Sequence, residues 1–236
     1  MHTRELLTGE NGVREKHGYK YYFGKSFMVC GIVSFGITLH YYNKQIKIIR
    51  SMKIIDNLLS YNNLLKVRDL SSIDIIVFHC TELPTLADAR KEGEKIIPGR
   101  KEKCGNSGHY YIDRDGQIYR FIEDNRIAYH VISHNDHSIG IEIVNIGRYP
   151  DWYSTKNQIP TEEYTKAQID STVELLAFLK KKIPSLKTIK QHFELDNQMV
   201  ISSDKPNIKV SRKIDPGPLF PWAKIVNVWQ ELLKIS

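Results

Sequence analysis

From Ser71 onward, apolar and polar positions alternate in short blocks that predict interleaved strands and helices. Ile73, Ile75, Ile76, Val77 and Phe78 form a β-branched run that reads as a buried strand closing at His79. Between Tyr110 and Ile122 two alternating segments flank Asp115-Gly116, a pair that tolerates positive φ and therefore predicts a hairpin. Ile139, Ile141 and Ile143 alternate with Gly140, Glu142 and Val144, which places Glu142 on the face opposite the isoleucines. A helix is expected from Thr161, after Pro160, with Glu162 and Glu163 at its positive end and a stop before Pro184. Ile169, Val173, Leu176 and Ala177 supply its buried stripe. Leu186 to His192 reads as a further strand, and Trp222, Ile225, Val226, Trp229 and Leu233 mark one face of a C-terminal helix. The pattern is that of an α/β domain over residues 71–236, a single mixed β-sheet flanked by helices.

Residues 1–70 read differently, as a non-core N-terminal extension. Phe27 to Leu39 is an uncharged apolar run of 13 residues, 16 if His40, Tyr41 and Tyr42 are counted. A spanning helix needs about 20. Arg14, Lys16, Lys20 and Lys25 precede the run and Lys44, Lys47, Arg50 and Lys53 follow it, so the flanking charge barely decides an orientation. Two readings stand: an export signal or membrane anchor through residues 27–42, giving a secreted or periplasmic envelope protein, and a leader without that role, giving a cytoplasmic one. Met28 and Met52 offer internal starts.

The chain has 236 residues and a formal charge of +7. That charge resembles a nucleic-acid signal until it is located. Residues 1–70 hold 11 Lys/Arg against 5 Asp/Glu, whereas residues 71–236 hold 23 against 22. A near-neutral main domain argues against nucleic acid as a partner. Three cysteines make no disulfide framework and no CxxC knuckle, so a metal site here has to use histidine and carboxylate ligands.

Such ligands are available. His79 and His192 each follow an apolar strand, where side chains emerge at a sheet edge and can meet groups from other loops. Asp215 sits in Asp-Pro-Gly-Pro, where Pro216 and Pro218 restrict the backbone and Gly217 permits a tight turn. Two histidines and one aspartate leave the open fourth position of a catalytic zinc. Glu142, within a strand and between isoleucines, is the candidate base, and Lys213 points the same way as Asp215 if that segment is extended. Each of these residues has an ordinary structural reading when taken alone. His134 and His137 lie in a polar loop and are left outside the metal set, and Cys80 reads as a small core residue.

Taken together, Ile76-Val-Phe-His-Cys-Thr81, Gly108 to Tyr119, Ala128-Tyr-His130, Ser138 to Asn145, Gln191-His192 and Lys213 to Trp222 resemble zinc-dependent N-acetylmuramoyl-L-alanine amidases. These are the type 2 amidases related to the peptidoglycan recognition proteins. The resemblance spans about residues 71 to 234 in consistent order and leaves the first 70 uncovered. It implies that His79, His192 and Asp215 ligate Zn2+, that Glu142 handles protons, and that Lys213 stabilises developing negative charge; His109 and His130, in family-like blocks, have two readings, as residues lining the substrate cleft and as hydrogen-bonded structural residues. It further implies a monomer acting on peptidoglycan or a muropeptide, in intact or 1,6-anhydro form. The alternative is a non-catalytic peptidoglycan-binding module. Two departures from the family pattern stand out. The 22 residues between His192 and Asp215 exceed the usual interval, with Asn197 to Val210 reading as a polar surface insertion, and Tyr129 replaces a common Trp.

Overall fold

The computed structural model describes residues 52–235, and apart from them only two short paired strands, β1 (Glu15–Lys16) and β2 (Tyr19–Lys20), in a unit of their own. The apolar run at 27–42 lies outside the described residues. No helix among the described residues is long and apolar enough to cross a membrane.

The main unit is built on a six-stranded mixed sheet in the order β3-β6-β5-β7-β4-β8. Its strands are β3 (Ile54–Asp56), β4 (Ile75–Cys80), β5 (Tyr110–Ile112), β6 (Ile118–Arg120), β7 (Ser138–Ile143) and β8 (Thr188–Gln191). β5 and β6 form the expected hairpin, with Gly116 at φ +87° in its turn. β4 lies between β7 and β8, parallel to both. A strand in that position is covered on two faces, which is why its run is so uniformly apolar.

On one face, Ile76, Phe78, Ile112, Ile139, Ile141 and Ile143 pack beneath α2 (Lys166–Lys182) and α4 (Trp222–Ile235), which contribute Leu175, Leu176, Leu179, Ile225 and Trp229. On the other face, Tyr111 and Phe121 gather Leu59, Tyr61, Leu83 and Ala89 of α1 (Leu86–Gly93) into a second core. The period of two along each strand therefore sends His79 and Glu142 away from α2 and α4.

Two boundaries differ from the sequence reading. The sheet unit begins before residue 71: β3 pairs in parallel with β6, and Leu59, Tyr61 and Leu65 are buried. Residues 52–70 thus belong to the core of this unit. Helix α2 starts at Lys166 instead of Thr161, because Thr165 caps it by accepting from the Gln168 N–H while the Gln168 side chain accepts from the Thr165 N–H. Glu162 is taken up by a forked pair with Arg114 of the β5–β6 turn, at 2.6 Å and 3.0 Å.

The long interval after His192 is also more ordered than a loop. A short helix α3 (His192–Leu195) leads into an antiparallel hairpin of β9 (Met199–Ile201) and β10 (Lys209–Ser211). Its surface is not wholly polar, since Met199, Ile201 and Ile208 are exposed.

Candidate metal centre and its cleft

His79, the fifth residue of β4, lies in register with Glu142 of β7, so the two side chains stand side by side on the face of the sheet turned away from α2 and α4. Tyr111 of β5 is the next in register. His192 enters from the neighbouring strand β8, at the first residue of α3, where the Gln191 N–H donates to Glu194 at 2.7 Å and fixes the turn. Asp215 arrives from the distant Pro-rich segment. Its carbonyl accepts from the Phe193 N–H at 3.3 Å, next to His192, and Tyr164 Oη donates to the Pro216 carbonyl at 2.6 Å. Phe220, in the same segment, packs on Phe78 and Tyr164 with ring centroids 5.6 Å and 5.1 Å away.

These backbones bring three ligand atoms to one point. His79 Nδ1 is 2.9 Å from His192 Nδ1 and 3.1 Å from Asp215 Oδ2, and His192 Nδ1 is 2.9 Å from the same oxygen. All three residues are buried. Burial, followed by the nearby His192, pushes the His79 imidazole down to about 4, Asp215 offsetting only part of this, so His79 is neutral at ordinary pH. Burial by itself would raise the Asp215 carboxyl, but His192 and Lys213 hold it well below the usual range. Two imidazoles and a carboxylate meet here through one atom each, and buried Asp215 Oδ1 has no hydrogen-bond partner among the described residues. A divalent cation fits this donor set.

The other ring nitrogen of His79 is also engaged. His79 Nε2 lies 3.0 Å from His130 Nδ1, and His130 Nε2 lies 3.1 Å from Ser138 Oγ. With His79 donating from Nε2 to His130, its Nδ1 lone pair is left facing His192 and Asp215. His130 thus borders the cleft through its contact with His79. Its ring lies over Gly140, where an added Cβ would approach within 2.7 Å. Gly140→Ala should therefore cost about 1–3 kcal/mol through overpacking, read as a lower denaturant midpoint with unchanged slope.

Glu142 and Lys213 face the same cleft of about 590 Å³. Glu142 Oε1 is 4.0 Å from His79 Nδ1. Burial, reinforced by Asp215 and partly opposed by Lys213, raises the Glu142 carboxyl well above its ordinary range. Burial lowers Lys213, but Asp215, Glu82 and Glu142 together outweigh it and leave the ammonium raised.

Lys213 has a support that sequence reasoning did not find. The Arg148 guanidinium, 1% exposed, forks onto Glu82 at 2.7 Å and 3.0 Å and donates to the carbonyls of Ser211 and Arg212 at 2.8 Å and 3.0 Å. It thereby fixes the backbone that enters Lys213. Nothing in the sequence around Arg148 or Ser138 signals these roles, which depend on contacts with distant segments.

His109 does not line the cleft. It is fully buried, its Nδ1 accepting from the Gly140 N–H at 3.0 Å and its Nε2 lying 3.1 Å from the Arg126 carbonyl and 2.9 Å from Arg68. Its place is beneath the strand that carries Glu142, where it braces the backbone. Tyr129 is at the cleft rim, with the Arg100 guanidinium 4.2 Å above its ring. His134 contacts His137, and His137 contacts Asp74, apart from the cluster.

Comparison with known proteins bears on family and fold. The family model described as N-acetylmuramoyl-L-alanine amidase matches residues 69–218. The N-acetylmuramoyl-L-alanine amidase AmiD of Escherichia coli (strain K12) is 24% identical over 182 residues, which cover 70% of this chain and 57% of AmiD. The chain thus spans little more than half of that curated relative. Among solved structures, the N-acetylmuramoyl-L-alanine amidase LysC from Clostridium intestinale URNW superposes with a TM-score of 0.52 at 21% identity, covering 75% of this chain and 97% of LysC. A selenomethionine derivative of AmpD gives 0.52 at 20% identity, with 76% and 94% covered. At these identities the structural likeness establishes the shared fold.

Proposed function

This chain belongs to the N-acetylmuramoyl-L-alanine amidase family, and from there we propose that it hydrolyses the amide joining the lactyl group of N-acetylmuramic acid to L-alanine of a peptidoglycan stem peptide. In this reading His79, His192 and Asp215 hold a zinc ion. The observation that carries it is the convergence of three ligand atoms within 4.8 Å of one another, at the floor of a cleft that also contains Glu142 and Lys213.

A zinc ion bound there supplies Lewis-acid polarisation of the scissile carbonyl and a solvent nucleophile of lowered pKa. The residues of the chain do the rest. Glu142 takes the proton released by the attacking water and returns it to the leaving amine. Lys213 presents positive charge to the oxygen on which negative charge develops, an interaction stronger in the transition state than in the ground state. The C–N bond breaks, water adds across it, and the products are a free lactyl carboxylate and a peptide with a free α-amine.

A binding-only module needs none of these three functions together, and the intact donor set beside a half-buried carboxyl and a half-buried ammonium favours catalysis. Lys213→Ala should retain zinc and lose about 10²- to 10³-fold in kcat, measured by steady-state kinetics beside metal analysis. The activity itself is tested by mass spectrometry of products from intact sacculi and from anhydro-muropeptides, with and without chelator. Peptides with a new L-alanine amino terminus, formed only without chelator, are expected. Bound but uncleaved muropeptide would favour the binding module.

A further inference from the structure

An ion pair between buried Asp196 and half-buried Arg212 stands directly behind His192. His192 Nε2, the ring nitrogen turned away from Asp215, is buried and has no hydrogen-bond partner among the described residues. Asp196 Oδ2 lies 3.9 Å from it, on a side chain 1% exposed. A shift of about 1 Å brings the two into N–H···O distance. Asp196 is itself held in place. Its N–H donates to the His192 carbonyl at 3.0 Å, its Oδ1 accepts from the Gln198 N–H at 3.4 Å, and its Oδ2 is paired with Arg212. Arg212 also donates its backbone N–H to the Gln198 carbonyl at 2.8 Å, so the two residues close the base of the β9–β10 hairpin.

We propose that Asp196, clamped by Arg212, is a positioning residue for His192: it accepts the Nε2 proton and so presents the Nδ1 lone pair beside His79 and Asp215. The inference rests on the reading of those three residues as metal ligands. A histidine ligand works as a neutral imidazole with one nitrogen free, and a carboxylate on the other nitrogen fixes both tautomer and ring angle. His79 has this support from His130 and Ser138. On the His192 side, Asp196 is the carboxylate placed to supply it, and Arg212 provides the countercharge a buried carboxylate requires. Because Arg212 precedes Lys213, the hairpin base is tied at once to a ligand and to the cleft ammonium. The extra residues between His192 and Asp215 thus bring their own brace for the site.

The test is zinc affinity by chelator competition on the full chain, together with the visible absorption of the cobalt(II)-substituted protein. Asp196→Ala is expected to weaken zinc binding by about 100-fold and Asp196→Asn, which keeps an acceptor, by about 10-fold, each with an altered cobalt spectrum. Should the alanine variant fail to fold, the asparagine variant carries the test. Asp204→Ala is the control: it removes the bonds that Asp204 accepts from Thr155 and Ser202 at the far end of the hairpin and should leave affinity and spectrum as in the parent. A folded Asp196 variant with parental affinity and spectrum overturns the proposal. So does an equal loss in Asp204→Ala, which would reduce the effect to general loosening of the hairpin. A parent chain that binds no zinc would instead defeat the functional reading, and this inference with it.

Discussion

Glu142→Gln should fold, keep its zinc and hydrolyse the muramoyl amide about 10²- to 10⁴-fold more slowly, the span that a positioned general base contributes. The substitution is nearly isosteric, so the cleft keeps its shape. Zinc is retained because Glu142 stands outside the trio of ligand atoms, with Oε1 4.0 Å from His79 Nδ1. The amide oxygen can orient water but cannot hold its proton, so the loss should fall on kcat and spare KM. Kinetics on a defined muropeptide, with metal content measured on the same preparation, separates the two effects. Activity within about tenfold of the parent would assign the proton transfer to another group.

The second large effect is expected at the ligands. Asp215→Ala should lower zinc from about one ion per chain to a trace and reduce hydrolysis to the level of the chelator-treated parent. The segment around it has other anchors. The Phe193 N–H bonds the backbone carbonyl of residue 215, and Phe220 packs against Phe78, so circular dichroism should report a folded protein. An Asp215→Ala protein that binds zinc with parental affinity would remove Asp215 from the ligand set.

Much of this was legible along the chain, and the rest was hidden for specific reasons. Alternation in Ser138-Ile-Gly-Ile-Glu-Ile143 placed Glu142 opposite the isoleucines, because period two is a local property. That Glu142 pairs with His79 was not local: it depends on the parallel register of two strands about 60 residues apart. The edge strand Ile54–Asp56 is too short, at three residues, to carry a pattern in the sequence, and it is defined by its pairing with β6. The acidic pair Glu162-Glu163 after Pro160 imitated a helix start, whereas the capping box between Thr165 and Gln168 decided it. The hairpin between His192 and Asp215 was read as polar surface because Ser202, Ser203, Asp204 and Lys205 dominate it, yet short apolar runs on either side make its strands. His109 lies in a family-like block yet is buried away from the cleft lining, a placement set by Arg68, Arg126 and Gly140 from three separate segments.

The decisive measurement is a crystal of the purified chain studied with anomalous scattering at the zinc edge. One peak is expected, about 2.0–2.2 Å from His79 Nδ1, His192 Nδ1 and the Asp215 carboxylate. An active protein without that peak, or with its zinc bound by other residues, would contradict the proposed metal centre.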